Sequence, residues 1–214
     1  KEHEFEKGDE EPPRWTLPEV TQLLTASTGQ HRLHLLLMLN CGMTQKDISD
    51  LMKDQVDLEK GYIQRRRSKT KNKKKTPKVR YKLWDETLSL LKEFWSVDPT
   101  YALLTLSKRR WFRAEILESG RLKKSDNIAS LFANLKRRIG MKGKNKSLKL
   151  FRKTAATALK HNPKYRDLRH YFLGHSPRNI ADKHYTAESQ KMLSRATRYL
   201  RRKFKIEEIF KQVS

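Results

Sequence analysis

The stretch from Lys149 to Tyr185 carries residues whose types and spacing suit chemistry on a phosphodiester. Lys149 and Arg152 stand three apart, so on a helix they share one face. Leu173-Gly174-His175 sets an imidazole just past a glycine, and Tyr185 follows His175 by ten residues. A cation pair, an imidazole and a phenol are thereby gathered within one short segment.

These groups need elements to hold them. Ser147 is placed to cap a helix over about 148–160, which Pro163 keeps from running much further. A second helix is expected over about 166–173, with Gly174 as its C-terminal glycine. Ser176-Pro177 then reads as an N-cap followed by proline at the first helical position. His175 would lie in a tight interhelical turn, and Tyr185 at or just past the end of the next short helix.

Arg152, the Leu-Gly-His triplet ending at His175, and Tyr185 occur in the order and near the spacing of the tyrosine recombinases, the family of phage integrases, which this stretch resembles. The resemblance covers roughly Thr16 to Leu200 and implies a mostly α-helical catalytic-domain fold with one small antiparallel β-sheet. It implies that Tyr185 is the nucleophile, that Arg152 and His175 serve the scissile phosphate, and that Lys149 stands where the family usually has histidine. Ser68-Lys69-Thr70 resembles the family's Lys-Thr in a β-hairpin, which makes Lys69 the expected general acid, with Lys71 as its rival. The family's Gly-x-Arg-x-x-Glu turn matches Gly42, Thr44 and Asp47, so the first catalytic arginine is replaced by threonine. Thr44 is equally explained as a helix N-cap, and Lys46 is a possible substitute cation.

The composition agrees with a polyanionic partner. The chain has 214 residues, 34% of them charged, and a formal net charge of +25. A field of that size favours nucleic acid. Ten of the sixteen residues from Arg65 to Arg80 are Lys or Arg and none is acidic. Arg65, Arg66, Arg67, Lys71, Lys73, Lys74 and Lys75 are expected to grip DNA phosphates without reading sequence. The longest apolar run, Leu35–Leu39, is far too short to span a bilayer. Cys41 is the single cysteine, so no intrachain disulfide can form, and no Cys/His cluster suggests zinc. No metal or other cofactor is implied.

The chain divides into an acidic linker or tail of an upstream domain, residues 1–14, and a catalytic domain with a C-terminal helix, residues 15–214. It starts at Lys1 rather than Met, which points to a piece of something longer. Thr16 and Glu19 form a capping-box pattern. The helix around 31–39 is apolar on nearly every side and is expected to be buried. Gln55 to Leu83 reads as a small antiparallel sheet. Further helices are expected over 84–95, from Ser125 or Asp126 to Arg138, and from beyond Tyr185 to the end. Tyr101–Leu106 reads as a short strand. Trp111 and Phe112 read as core residues within a basic patch.

The function expected is site-specific recombination or integration of DNA, as in phage and other mobile elements, through a 3′-phosphotyrosyl intermediate. Double-stranded DNA is the partner, with a homo-oligomer on DNA formed through the C-terminal helix, in a cytoplasmic, nucleoid-associated setting of prokaryotic or phage origin. The alternatives are a recombinase-derived DNA-binding protein with impaired catalysis, and an unrelated basic nucleic-acid-binding module.

Overall fold

The hydrophobic run in the first quarter of the chain becomes the axis of the domain. A computed structural model describes residues 14–70, 72, 76–141, 146–176 and 187–213. Helix α1 (Leu17–Ala26) starts at a complete capping box, in which Thr16 N–H donates to Glu19 Oε2 at 2.8 Å and Glu19 N–H donates to Thr16 Oγ1. Helix α2 (Gly29–Cys41) is buried without interruption from Leu33 to Cys41. It can afford no polar stripe because helices surround it: α4 (Asp85–Glu93), α5 (Asn127–Arg138), α6 (Leu150–Lys160) and α8 (Ala187–Lys203) all pack against it.

The polar groups of α2 serve as fasteners. Asn40 Nδ2 donates to the Lys82 carbonyl at 3.0 Å, and Asn40 Oδ1 accepts from Trp84 N–H at 2.9 Å. These bonds tie α2 to the three-stranded sheet β1 (Val56–Asp57), β2 (Tyr62–Arg65), β3 (Val79–Lys82), which is antiparallel in that order. Ile63 faces Tyr81 and Arg65 faces Val79 in register. The pleat turns Ile63, Arg65, Val79 and Tyr81 inward, and Gln64, Arg80 and Lys82 outward. Helix α3 (Gln45–Ser49) is a single short turn after α2.

The structure adds to the expected fold and corrects it at several points. A second antiparallel hairpin, β4 (Phe112–Ile116) with β5 (Leu122–Asp126), was not anticipated, because most of its residues are exposed and polar and the strands carry no core-facing alternation. Residues 101–106 do not form a strand: Tyr101 makes one isolated bridge to Met52, and Ala102, Leu103 and Leu104 are buried as irregular chain. Helix α6 begins at Leu150, and Ser147 supports it with its carbonyl, which accepts from Leu150 N–H at 3.0 Å. The segment at 166–173 splits into a 3₁₀ turn, Arg166–Leu168, and the short helix α7 (Arg169–Phe172).

The C-terminal segment also breaks in two, at Lys205 with φ of 51°, into α8 and α9 (Ile206–Val213). Its buried face runs through Leu193, Ala196, Leu200 and Phe204, while Lys203 is exposed. Helix α9 lies on its own domain against α1, α4 and α8. Arg201 clamps Glu86 with two nitrogens, at 3.1 and 2.7 Å, and so fastens α8 to α4. Among the described residues no helix is long and apolar enough to cross a membrane.

Candidate active site

Four elements converge on the turn that ends α7. Gly174 has φ of 62°, its N–H donates to the Tyr171 carbonyl at 2.8 Å, and His175 N–H donates to the His170 carbonyl at 3.0 Å. This pair of bonds is a Schellman motif, and it sets where His175 leaves the helix. The last carbonyls of α7 are then taken up from outside. Tyr81 Oη of β3 donates to the Phe172 carbonyl at 2.9 Å, and Arg152 Nη2 of α6 donates to the Leu173 carbonyl at 2.9 Å. Gly42, in the left-handed region at φ of 57°, presses on the same place: a Cβ there would sit 2.8 Å from the Phe172 oxygen. Glycine is therefore required on steric as well as conformational grounds.

The turn before α3 connects these groups to the basic segment after β2. Thr44 is the N-cap, and its amide and hydroxyl donate to Asp47 Oδ2 at 2.9 and 2.8 Å. The other carboxylate oxygen, Oδ1, accepts from Arg65 Nη1 and from Ser68 N–H, both at 2.8 Å. Asp47 is thus a four-donor hub joining α3 to the segment 65–68. Burial by itself would raise its carboxyl, but Arg65 and the hydrogen bonds from Thr44 and Ser68 outweigh that and hold it well below the usual carboxylate range. Burial likewise opposes the charge on Arg65, and Asp47 overrides it, holding the guanidinium above its ordinary value.

Arg152 is 8% exposed. Burial, then the charge of Arg67, pushes its guanidinium down to about 10. Burial pushes the Tyr81 phenol up, so it stays a neutral donor. A buried cation and an imidazole beside a basic segment can receive an anionic phosphate and stabilise charge on its oxygens.

The expected site residues separate in space. Arg152 and the backbone of His175 meet at the α7 turn, and the His175 ring centroid lies 5.9 Å from that of His170. Lys69 is exposed in the 3₁₀ turn Ser68–Thr70, one residue past the amide bound to Asp47. Lys149 shares the face of Arg152 only nominally: it is exposed at the N-cap of α6, and its charge acts on Asp126 of the neighbouring β5–α5 junction. Arg66 is exposed.

Arg65 is a correction: it is 4% exposed and paired with Asp47, so it organises the core and is not a surface DNA contact. Its phase with Ile63 along β2 carried that information. Lys46 is engaged elsewhere, with Asp50 at 2.9 Å and over the Phe112 ring. Tyr185, Pro177, Lys71, Lys73, Lys74 and Lys75 lie outside the described residues. Sequence reasoning missed Tyr81 as a clamp on the α7 turn and Asp47 as a hub.

Comparison with known proteins bears on the family and the fold. Residues 14–192 match the model of the phage integrase family. No curated protein matches the sequence. Among solved structures the chain is similar to the XerA recombinase, at 16% identity and a TM-score of 0.59, covering 91% of this chain and 65% of that one. The lambda integrase catalytic core is 18% identical with a TM-score of 0.54, covering 77% of this chain and 96% of that one. A lambda integrase dimer bound to a COC′ core site is 17% identical with a TM-score of 0.56, covering 83% of this chain and 49% of that one. The chain thus spans less than two thirds of the XerA chain and about half of the longer lambda integrase chain.

Proposed function

Because the chain belongs to the phage integrase family, we propose that it cuts and rejoins double-stranded DNA at a specific site, with Tyr185 as nucleophile. In this reading the Tyr185 oxygen bonds to phosphorus, the bond from phosphorus to the 5′ oxygen breaks, and a 3′-phosphotyrosyl link remains. Lys69 protonates the departing 5′ oxygen. Arg152 holds a phosphoryl oxygen, and His175 donates a hydrogen bond to one or relays a proton. Lys149 adds positive charge from the rim of the site. A free phenol has a pKa of about 10, so the surrounding cations must favour the phenolate or a base must take its proton. Reversal with another 5′-hydroxyl exchanges strands, and the covalent link conserves the backbone's energy.

The observation that carries this reading is Arg152, a buried guanidinium anchored on the Leu173 carbonyl at 2.9 Å, directly beside Gly174-His175. Arg66, Arg67 and the lysines of the 71–75 loop would supply phosphate contacts around the site. Pairing of protomers on DNA would use the C-terminal helix α9, released from its own domain or bound through its outer face. Residues 1–14 would link the domain to an upstream one that closes around DNA.

The test uses duplex DNA from the ends of the element that carries the gene, nicked beside the suspected phosphate. The short fragment bearing the 5′-hydroxyl then diffuses away and traps the adduct. A denaturant-stable, protease-sensitive adduct that Tyr185→Phe abolishes, with DNA affinity retained, is the expected result. Tight, salt-sensitive binding with no adduct would refute catalysis. It would favour the second reading, a recombinase scaffold kept for holding DNA, which Thr44 in place of an arginine supports.

A further inference from the structure

In-line attack on a phosphodiester develops charge on two non-bridging oxygens, and preorganised donors at those oxygens carry much of the rate. Arg152 is one such donor. The α3 turn offers none: Thr44 gives both its amide and its hydroxyl to Asp47, and Lys46 points to Asp50 and Phe112. Arg65 is held by Asp47.

Arg67 is differently placed. Ser68 N–H on Asp47 and Thr70 N–H on the Arg67 carbonyl, at 3.1 Å, fix its backbone on both sides. Its Cβ would lie 3.4 Å from a Cβ built on Gly174, so its stem passes directly over the Leu-Gly-His turn. Arg67 Nε and Arg152 Nε are both buried, and neither finds a hydrogen-bond partner among the described residues. After burial, Arg67 is the strongest influence on Arg152. Asp47 neutralises Arg65, while Arg67 and Arg152 remain as two like charges near enough to act on each other, each with a buried Nε unpaired among the described residues. That arrangement is unfavourable until an anion enters it.

We propose that Arg67 supplies the second guanidinium that grips the scissile phosphate, opposite Arg152, in place of an arginine at position 44. The residue comes from the segment after β2 instead of from the α3 turn, and Asp47 is the bracket that holds it there. Gly174 leaves room for its stem. This assignment rests on the recombinase reading above.

The experiment compares the full-length protein with Arg67→Ala and Arg67→Lys on the same nicked duplex. Three quantities are measured: the rate of adduct formation, the melting temperature, and the slope of log Kd against log salt on intact duplex. Arg67→Ala is expected to form adduct about 100- to 1000-fold more slowly. It should also flatten the salt slope by about 0.9, the loss of one phosphate contact. Arg67→Lys keeps a charge but cannot make two parallel hydrogen bonds, so it should keep the melting temperature and the slope yet lose more than about tenfold in rate. Adduct formation by either variant within threefold of the unmodified protein overturns the proposal. If the unmodified protein forms no adduct, the recombinase reading fails on its own, and the slope then decides: an unchanged slope in Arg67→Ala overturns the phosphate contact, and a fall of about 0.9 upholds it.

Discussion

Replacing Asp47 by Asn tests whether the hub holds the site together. Asp47 is 1% exposed and Arg65 is 4% exposed, with Nη1 and Oδ1 2.8 Å apart. Asn keeps one oxygen but no charge, so Arg65 is left as an uncompensated buried cation. Breaking such a pair costs about 3–5 kcal/mol, against about 1 kcal/mol for losing an N-cap contact, so the ion pair dominates the effect. In a domain of this size each kcal/mol lowers the melting temperature by about 2–4 °C, which gives a fall of about 6–20 °C. The pH dependence has a definite sign. Asp47 titrates below its ordinary value in the folded state, so its contribution is complete above about pH 4 and is lost as pH falls from there toward the depressed folded value. Asp47→Asn should flatten that acid limb. The assay is urea unfolding at pH 7 and melting from pH 7 to 3, for Asp47→Asn, Arg65→Met and the double variant. The double variant should be at least about 2 kcal/mol more stable than the sum of the singles implies, because it leaves no buried charge unpaired. A loss under about 1 kcal/mol in Asp47→Asn, or strict additivity, would refute the reasoning.

Other substitutions probe the core and the turn. His34 is fully buried against Trp111, with ring centroids 4.5 Å apart, and burial followed by the His31 charge lowers its pKa to about 3. The unfolded chain takes up that proton near pH 6.5 and the folded one does not, so stability falls by about 4–5 kcal/mol between pH 6.5 and 3. His34→Phe should remove that limb from a plot of melting temperature against pH, and an unchanged slope would exclude His34 as its source. Gly42→Ala combines left-handed strain with a Cβ 2.8 Å from the Phe172 oxygen, whereas Gly140→Ala, at φ of 72°, meets nothing within 4 Å. Gly140→Ala should cost about 1–2 kcal/mol, and Gly42→Ala distinctly more in the same denaturation experiment. Lys46→Ala should form the covalent adduct at the rate of the unmodified protein and lose less than about 1 kcal/mol, because its partner Asp50 also pairs with Arg110.

What the sequence could disclose depended on how local the physics was. The caps at Thr16, Thr44 and Asp126 were legible because each involves residues three apart. The glycine stop at Gly174 and the burial of α2 were legible for similar reasons: a short range and a uniform composition. The β4–β5 hairpin was not, because it makes little core and so leaves no alternating apolar signature. The three arginines from 65 to 67 show the boundary most clearly. As composition they are one basic run and were read as one DNA-gripping patch. As a strand with Ile63 on the inner face, Arg65 must point inward and Arg66 outward, a separation that period-two reasoning already contains.

Arg67 lies beyond the strand, where no periodicity applies. Its position depends on Asp47, which is twenty residues earlier, and on Gly174, which is more than a hundred later. Thr44 could likewise be read as a loss only while the α3 turn was considered alone. With Asp47 binding Ser68 and holding Arg65, that turn becomes the support for the segment carrying Arg67 and Lys69. The turn thus lacks the arginine but keeps the carboxylate, which holds Arg65 and the Ser68 amide of the facing segment. On the proposed role of Arg67, Thr44 and Asp47 act through where they hold that residue, and damage at position 47 should reach catalysis before it unfolds the domain.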